Sequence, residues 1–306
     1  MKAANGETIR VGFGLGTNTA ANDPRSLGSL VDALETTGFD SIWFSERVSG
    51  SAPDPIVAMS WAAARTERLK FGPAVQVVPG RNPVLLAKAL ASLDRISDGR
   101  LLPAFGLGAP RLAEHQAFGV QRGDRGAWFD EALPLMRRLW TEEVVTHHGE
   151  RFELDDVRVE PKPVQDPLEV WMGGVAPSEL RRVGRLGEGW LPSFCTPEDV
   201  RVGIPVIDDH STAAGREPID RGHFGALVVY SPTRELPSAI ADRLRALKPD
   251  AAIDEVVVLG RNRIRDRLLE FCDAGATKFV LSPLGEPEDW STEVATLAEA
   301  VLSLHD

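Results

Sequence analysis

The strongest constraint on this chain is an alternation. Eight short apolar runs are separated by longer stretches with helical spacing. The runs are IRVGFGL, FDSIWF, LKFGPAVQVV, RLLPAFGLG, LEVWMGG, GWLPSF, HFGALVVY and KFVLSPL. Between the first two, Leu27, Leu30, Val31 and Leu34 recur at helical intervals before Gly38 stops the pattern. Pro55 opens the next helical stretch, and Asp98-Gly99 closes the one after that. Near-continuous apolar strands suit a parallel sheet covered on both faces. Eight strands, each followed by a helix, predict an α/β fold, a (β/α)8 TIM barrel. EEVVTHHGERFELDDVRV alternates around a glycine turn and predicts a small hairpin insertion after the fourth βα unit.

An open doubly wound sheet is the rival. It would carry fewer strands, and the glycines of GFGLGTN lack the spacing of a dinucleotide fingerprint. With 306 residues, 43% of them hydrophobic, the chain can bury a large core, and no linker divides it. A single domain over 1–306 is expected. A net charge of −11 argues against nucleic acid as a partner. No apolar run reaches the ~20 residues of a membrane helix. Two widely spaced cysteines, Cys195 and Cys272, and an N-terminus without an apolar signal core fit a reducing cytoplasm.

In a barrel of this kind, chemistry sits where strands end. Those ends are Gly14–Asn18, Ser45–Arg47, Val75–Arg81, Gly106–Arg111, Gly173-Gly174, Pro192–Cys195, Tyr230–Pro232 and Ser282–Gly285. The histidines, His115, His147, His148, His210, His223 and His305, lack metal-ligand spacing, so no metal is expected. No GxSxG elbow and no strand-end lysine suggest a triad or a Schiff base. Glu46 is the one clear strand-end acid. Beside Arg47 it is either half of a structural ion pair or a ligand-facing group. The glycines admit a flat or phosphorylated ligand close to backbone. Gly173-Gly174 precedes a helix, where free N–H groups favour an anion. Arg47, Arg81 and Arg111 add positive charge to the same face. These residues point to a bound cofactor that carries the chemistry while the protein orients it.

The pieces GFDSIWFSER, RLKFGPAVQVVPGRNPVLLAKALASLDRISDGRLLPAFGLG, RGAWFDEALPLMRRLW, PKPVQDPLEVWMGG and GRLGEGWLPS resemble the bacterial-luciferase-like superfamily. The likeness runs from about Ile9 to Leu284 and leans to the branch that uses the deazaflavin coenzyme F420. It implies the same barrel fold. It also implies a non-proline cis bond at Ala74–Val75 behind the cofactor ring. Gly106 and Gly108 would leave room for the ring, and Gln76 would lie near its pyrimidine edge. Gly173, Gly174 and Ser193 match phosphate-binding positions. A homodimer, and a reductase supplying reduced cofactor, are the partners such a family implies.

The departures from that pattern are informative. Arg47 stands where two branches place a histidine after an acid. Ser51 and Arg111 stand where the sugar-phosphate dehydrogenases place a tryptophan and an acid, and Asn82 replaces a histidine before Pro83. The resemblance therefore argues against a sugar-phosphate substrate. Arginine stays protonated and is no practical base, but it can hold an anion or stabilise developing negative charge. The expected activity is hydride transfer between F420 and a small organic substrate. Phe13, Glu46, Arg47 and Arg111 would bound that substrate, with Glu46, Arg47 and Arg111 as the catalytic set. The alternatives are an FMN-dependent monooxygenase and a non-catalytic cofactor-binding homologue.

Overall fold

Four helices begin with one device, a capping side chain followed by proline. Asp23, Asp54 and Asn82 each accept a backbone N–H at 2.9 Å, and Thr196 accepts that of Asp199 at 3.1 Å. Proline then takes the first helical position, where its missing N–H costs nothing. Asn82 is thus a helix cap, which accounts for its place in the GRNP stretch.

The computed structural model describes residues 6–16 and 22–304, so Asn18 and His305 lie outside the described residues. The chain runs β1 (Arg10–Gly14), α1 (Pro24–Thr37), β2 (Ser41–Phe44), α2 (Pro55–Arg65), β3 (Lys70–Pro73), β4 (Gln76–Val77) and α3 (Pro83–Ile96). It continues through β5 (Ala104–Gly106), α4 (Leu112–Phe118), α5 (Arg125–Thr141), β6 (Val145–His148), β7 (Glu153–Val157), β8 (Trp171–Met172) and α6 (Pro177–Leu186). The last third holds β9 (Gly189–Trp190), α7 (Pro197–Ala213), β10 (Gly225–Ser231), α8 (Ser238–Leu247), α9 (Ile253–Val256), β11 (Val257–Leu259), α10 (Ile264–Asp273), β12 (Lys278–Pro283) and α11 (Trp290–Val301).

One sheet has the order β11-β10-β12-β1-β2-β3 and another β4-β5-β8-β9, with all their pairings parallel. Parallel bridges join them at both seams, Phe71 to Leu101 on one side and Trp190 to Phe224 and Ser193 to Leu227 on the other. β3 and β4 are two halves of one barrel strand, interrupted at the cis Ala74–Val75 bond. The result is the expected (β/α)8 ring, and the antiparallel β6–β7 hairpin follows α5 as the sequence indicates.

Three elements were not expected: β11, the short α4 and the four-residue α9. β11 lies outside the ring: β10 overshoots its neighbour β9, and its upper half, Val229–Ser231, takes β11 as a partner. The short α4 follows β5, and its seven residues, LAEHQAF, are too few to show a helical stripe.

The ring has two apolar layers. Outside it, the barrel packs on the helices through a core that includes Val11, Phe13, Phe39, Phe71, Phe105 and Trp290. Inside, Trp43, Trp171, Ala104, Leu191 and Val280 fill the barrel, with Ala74 and Val75 packed on them. Glycines make that filling possible. A methyl group at Gly12 would fall 3.1 Å from the Trp43 indole nitrogen, and one at Gly189 would fall 2.4 Å from the Trp171 ring.

Candidate active site

The mouth of the barrel, where strands end, gathers most of the expected positions around Val75. A Cβ added at Gly106 would lie 2.5 Å from Val75 Cγ2, and one at Gly173 would lie 3.9 Å from Val75 Cγ1. Gly108, at φ +82, stands over Val77 in the same way, with a built Cβ 3.0 Å from Val77 Cγ1. Arg125 holds that stretch by donating to the carbonyls of Leu107 and Gly108 at 3.0 and 2.9 Å. The mouth therefore has a floor of one branched side chain flanked by positions without side chains. Such a floor admits a flat ring close to backbone.

Glu46 reaches this floor, but its partner is not Arg47. Adjacent residues leaving a strand diverge to opposite sides, and of the two alternatives open from sequence the Glu46–Arg47 ion pair is not formed. The Glu46 carboxylate instead accepts from Gln76 Nε2 at 2.9 Å and from the Val77 amide at 2.5 Å, and it pairs with the Arg81 guanidinium. Arg81 also lies 3.7 Å from Asp54 and stacks over the Phe118 ring at 5.6 Å. Arg81 is thus neutralised and adds no free positive charge to the mouth, contrary to the expectation from sequence. Burial pushes the Glu46 carboxyl above the usual range, against the pull of Arg81 and the Val77 amide.

With its amide nitrogen on Glu46, Gln76 is fully buried, and its Oε1 has no hydrogen-bond partner. A buried acceptor without a donor is costly in a finished protein.

Arg47 and Arg111 come from different sides of the mouth. The turn after Arg47 is fastened to α4 by Glu114, which accepts from the amides of Val48 and Ser49 at 3.2 and 3.0 Å and from the Ser49 hydroxyl. Arg111 caps the start of the same helix without bonding to it through its side chain. Burial, and then the like charges of Arg111 and Arg243, push the Arg47 guanidinium down from its ordinary pKa, with Glu114 opposing them. Arg243 lies on α8, far from any strand end, and so escapes a search confined to strand ends.

Three further expectations have mixed outcomes. Phe13 is not part of the mouth. It points outward, fully buried, edge-on to Phe39 at 6.4 Å and to Trp290 at 5.9 Å. Gly173 and Gly174 lie on the rim, but the helix after them is partly capped by its own chain: Glu179 accepts the Ala176 amide at 3.0 Å. Ser193 is exposed on the same rim, paired through backbone with Leu227. The next residue, Phe194, has φ +50, a left-handed conformation unusual for an aromatic residue.

The chain is thus a parallel (β/α)8 barrel whose mouth has a floor of one valine among glycines. The chain belongs to the luciferase-like monooxygenase family, which matches residues 8–278. It is 31% identical over 228 residues to the F420-dependent glucose-6-phosphate dehydrogenase of Kineococcus radiotolerans, covering 71% of this chain and 66% of that protein. It is also 31% identical over 218 residues to the enzyme of the same name from Intrasporangium calvum, covering 65% of this chain and 64% of that one. The chain thus spans just under two thirds of these curated relatives.

Among solved structures, an F420-dependent secondary alcohol dehydrogenase in complex with an F420–acetone adduct superposes with a TM-score of 0.82 at 20% identity, covering 98% of this chain and all of that one. The monooxygenase RslO1 of Streptomyces bottropensis gives a TM-score of 0.79 at 22% identity, covering 97% of this chain and all of that one. At these identities both likenesses speak to the fold.

Proposed function

We propose that this chain is an F420-dependent oxidoreductase that transfers a hydride between the deazaflavin and a small organic substrate. The observation that carries the reading is the orphaned Gln76 Oε1 beside the Val75 floor, a buried acceptor suited to a ring N–H. Relatives named for F420 support it. F420 supplies a hydride donor or acceptor carbon; the protein supplies its surroundings. Val75, Gly106 and Gly108 leave space for the ring. Gln76 Oε1 receives a ring N–H, and Glu46 keeps that amide turned the right way. Gly173, Gly174 and Ser193 face the phosphate of the tail. Arg47 and Arg111 hold the substrate on the open side.

On this reading Glu46 is a positioning residue, because its carboxylate is already engaged by three donors. The reading also includes a homodimer, a reductase that supplies reduced cofactor, and a cytoplasmic setting. No described helix is long and apolar enough to cross a membrane.

Parallel fluorescence titrations with F420 and FMN test it, with Gly106→Val as a control. F420 is expected to bind the parent protein and to lose at least tenfold in affinity in the variant, whose extra side chain would fill the floor. Binding of FMN alone would overturn the cofactor assignment in favour of a flavin monooxygenase. Binding of neither would overturn the oxidoreductase reading and leave a non-enzymatic binding or structural role.

A further inference from the structure

The chain carries 45 acidic residues against 34 basic ones, so a carboxylate is easily supplied to any arginine that needs one. Among the described residues, 15 of its 28 arginines have one within ion-pair distance. The strand-end arginines Arg47 and Arg111 are not among them. Among the described residues, no acid lies within ion-pair distance of Arg47, Arg111 or Arg243, although the charges of the other two are felt at Arg47. The two acids nearby are both engaged elsewhere. Glu46 holds Arg81, Gln76 and Val77, and Glu114 holds Val48 and Ser49. The Glu114 bonds fix the turn that carries Arg47 against the helix that Arg111 begins. The stem of Arg47 is packed as well, since a methyl at Gly50 would lie 3.1 Å from its Cγ and Cδ. The one acid that attracts Arg47, Glu114, is already bound to Val48 and Ser49, which leaves the arginine forks open to an added anion.

We infer that Arg47 and Arg111 form an oxyanion subsite that holds a carboxylate or phosphate group of the substrate at the barrel mouth. This rests on the oxidoreductase reading and narrows it to substrates with an anionic group close to the reacting carbon. Arginine suits the task because its planar fork meets two oxygens at once.

The test titrates the full chain with sodium phosphate and with sodium succinate, at ionic strength matched with chloride, by calorimetry and thermal shift. F420 affinity is measured in parallel. The parent protein is expected to bind one or both anions. Phosphate alone would assign a phosphate ester and succinate alone a carboxylate. Arg47→Gln/Arg111→Gln is expected to weaken that binding at least tenfold while leaving F420 affinity within about threefold. Equal anion binding in parent and variant, or none in the parent, overturns the subsite. A parallel loss of F420 affinity in the variant also overturns it, because the arginines would then serve the cofactor tail. Anion binding that passes while F420 fails to bind the parent removes the oxidoreductase reading and leaves the oxyanion site standing.

Discussion

The two ends of the barrel both carry buried charge, and they use it in opposite ways. At the end where strands begin, the most deeply buried cation is paired with a carboxylate. Lys278 is fully buried, donates to Ser41 Oγ at 2.7 Å and pairs with the Asp40 carboxylate. The Trp43 indole joins the same hydroxyl at 2.9 Å. Arg10 donates to the Gly222 carbonyl and lies among Glu169, Asp220 and Glu7, and His223 stands 3.5 Å from Glu169. At the end where strands finish, Glu46 and Glu114 are bound into the scaffold, and among the described residues Arg47 and Arg111 have no acid within ion-pair distance. The first end closes the barrel. The second is left electrostatically incomplete, as a binding surface must be, because a site that satisfied itself would have nothing to offer a ligand.

The largest expected effect breaks the closed end. Lys278→Met leaves Asp40 without its cation in a nearly dry setting. Removing one partner of a buried pair costs about 3–5 kcal/mol. Urea unfolding should show this loss, while F420 affinity in the folded fraction stays at the parent level. Adding Asp40→Asn should recover much of the stability. A loss under about 1 kcal/mol would mean that the closed end is not a stabilising network.

That contrast was only partly legible in the sequence. The barrel was legible because eight apolar runs and their helices repeat, and because D-P, N-P and T-P pairs mark helix starts physically. The Val75–Gly106–Gly173 floor was legible as positions, since glycine at strand ends has few other uses. Which face of a strand looks inward was not. In a parallel barrel both faces are apolar, so Phe13 gives no sign that it faces helices rather than ligand. The glycines Gly12 and Gly14 beside it were the available signal, since the crowded interior around Trp43 and Val280 requires them. The partner of Glu46 was hidden for another reason. Arg81 is brought to it by the fold, and adjacency to Arg47 in the chain suggested a pair that local geometry forbids. β11 was missed because a three-residue strand outside the ring has no period to betray it.

A middle-sized effect tests the scaffold of the open end. Burial alone would raise the Glu114 pKa, but the Ser49 and Val48 donors and Arg47 outweigh it and hold the carboxyl below its usual 4.5. A depressed acid contributes stability that is present above the unfolded value and is lost as pH falls through the folded one. Glu114→Gln should therefore cost about 1–2 kcal/mol near neutral pH. The gap to the parent protein should shrink as pH drops below 4.5. A gap independent of pH would mean that Glu114 acts by shape alone.

The smallest expected effect is the most discriminating, because its sign differs between the two ends. Arg111→Gln removes a like charge felt at Arg47. Relief of like-charge repulsion at a partly exposed site should leave stability unchanged or raise it by at most about 0.5 kcal/mol. That gain should fade between low and physiological salt, where screening shortens the reach of the neighbouring charges to about 8 Å. Turnover should fall in the same variant, since the group lost is the one that meets substrate. The pairing of steady or improved stability with lost function is what an incomplete site predicts and a structural ion pair does not. If Arg111→Gln instead lost more than about 1 kcal/mol at every salt concentration, Arg111 would have a hidden scaffold role. The open end would then be another closed network, and the electrostatic distinction between the two ends would fail.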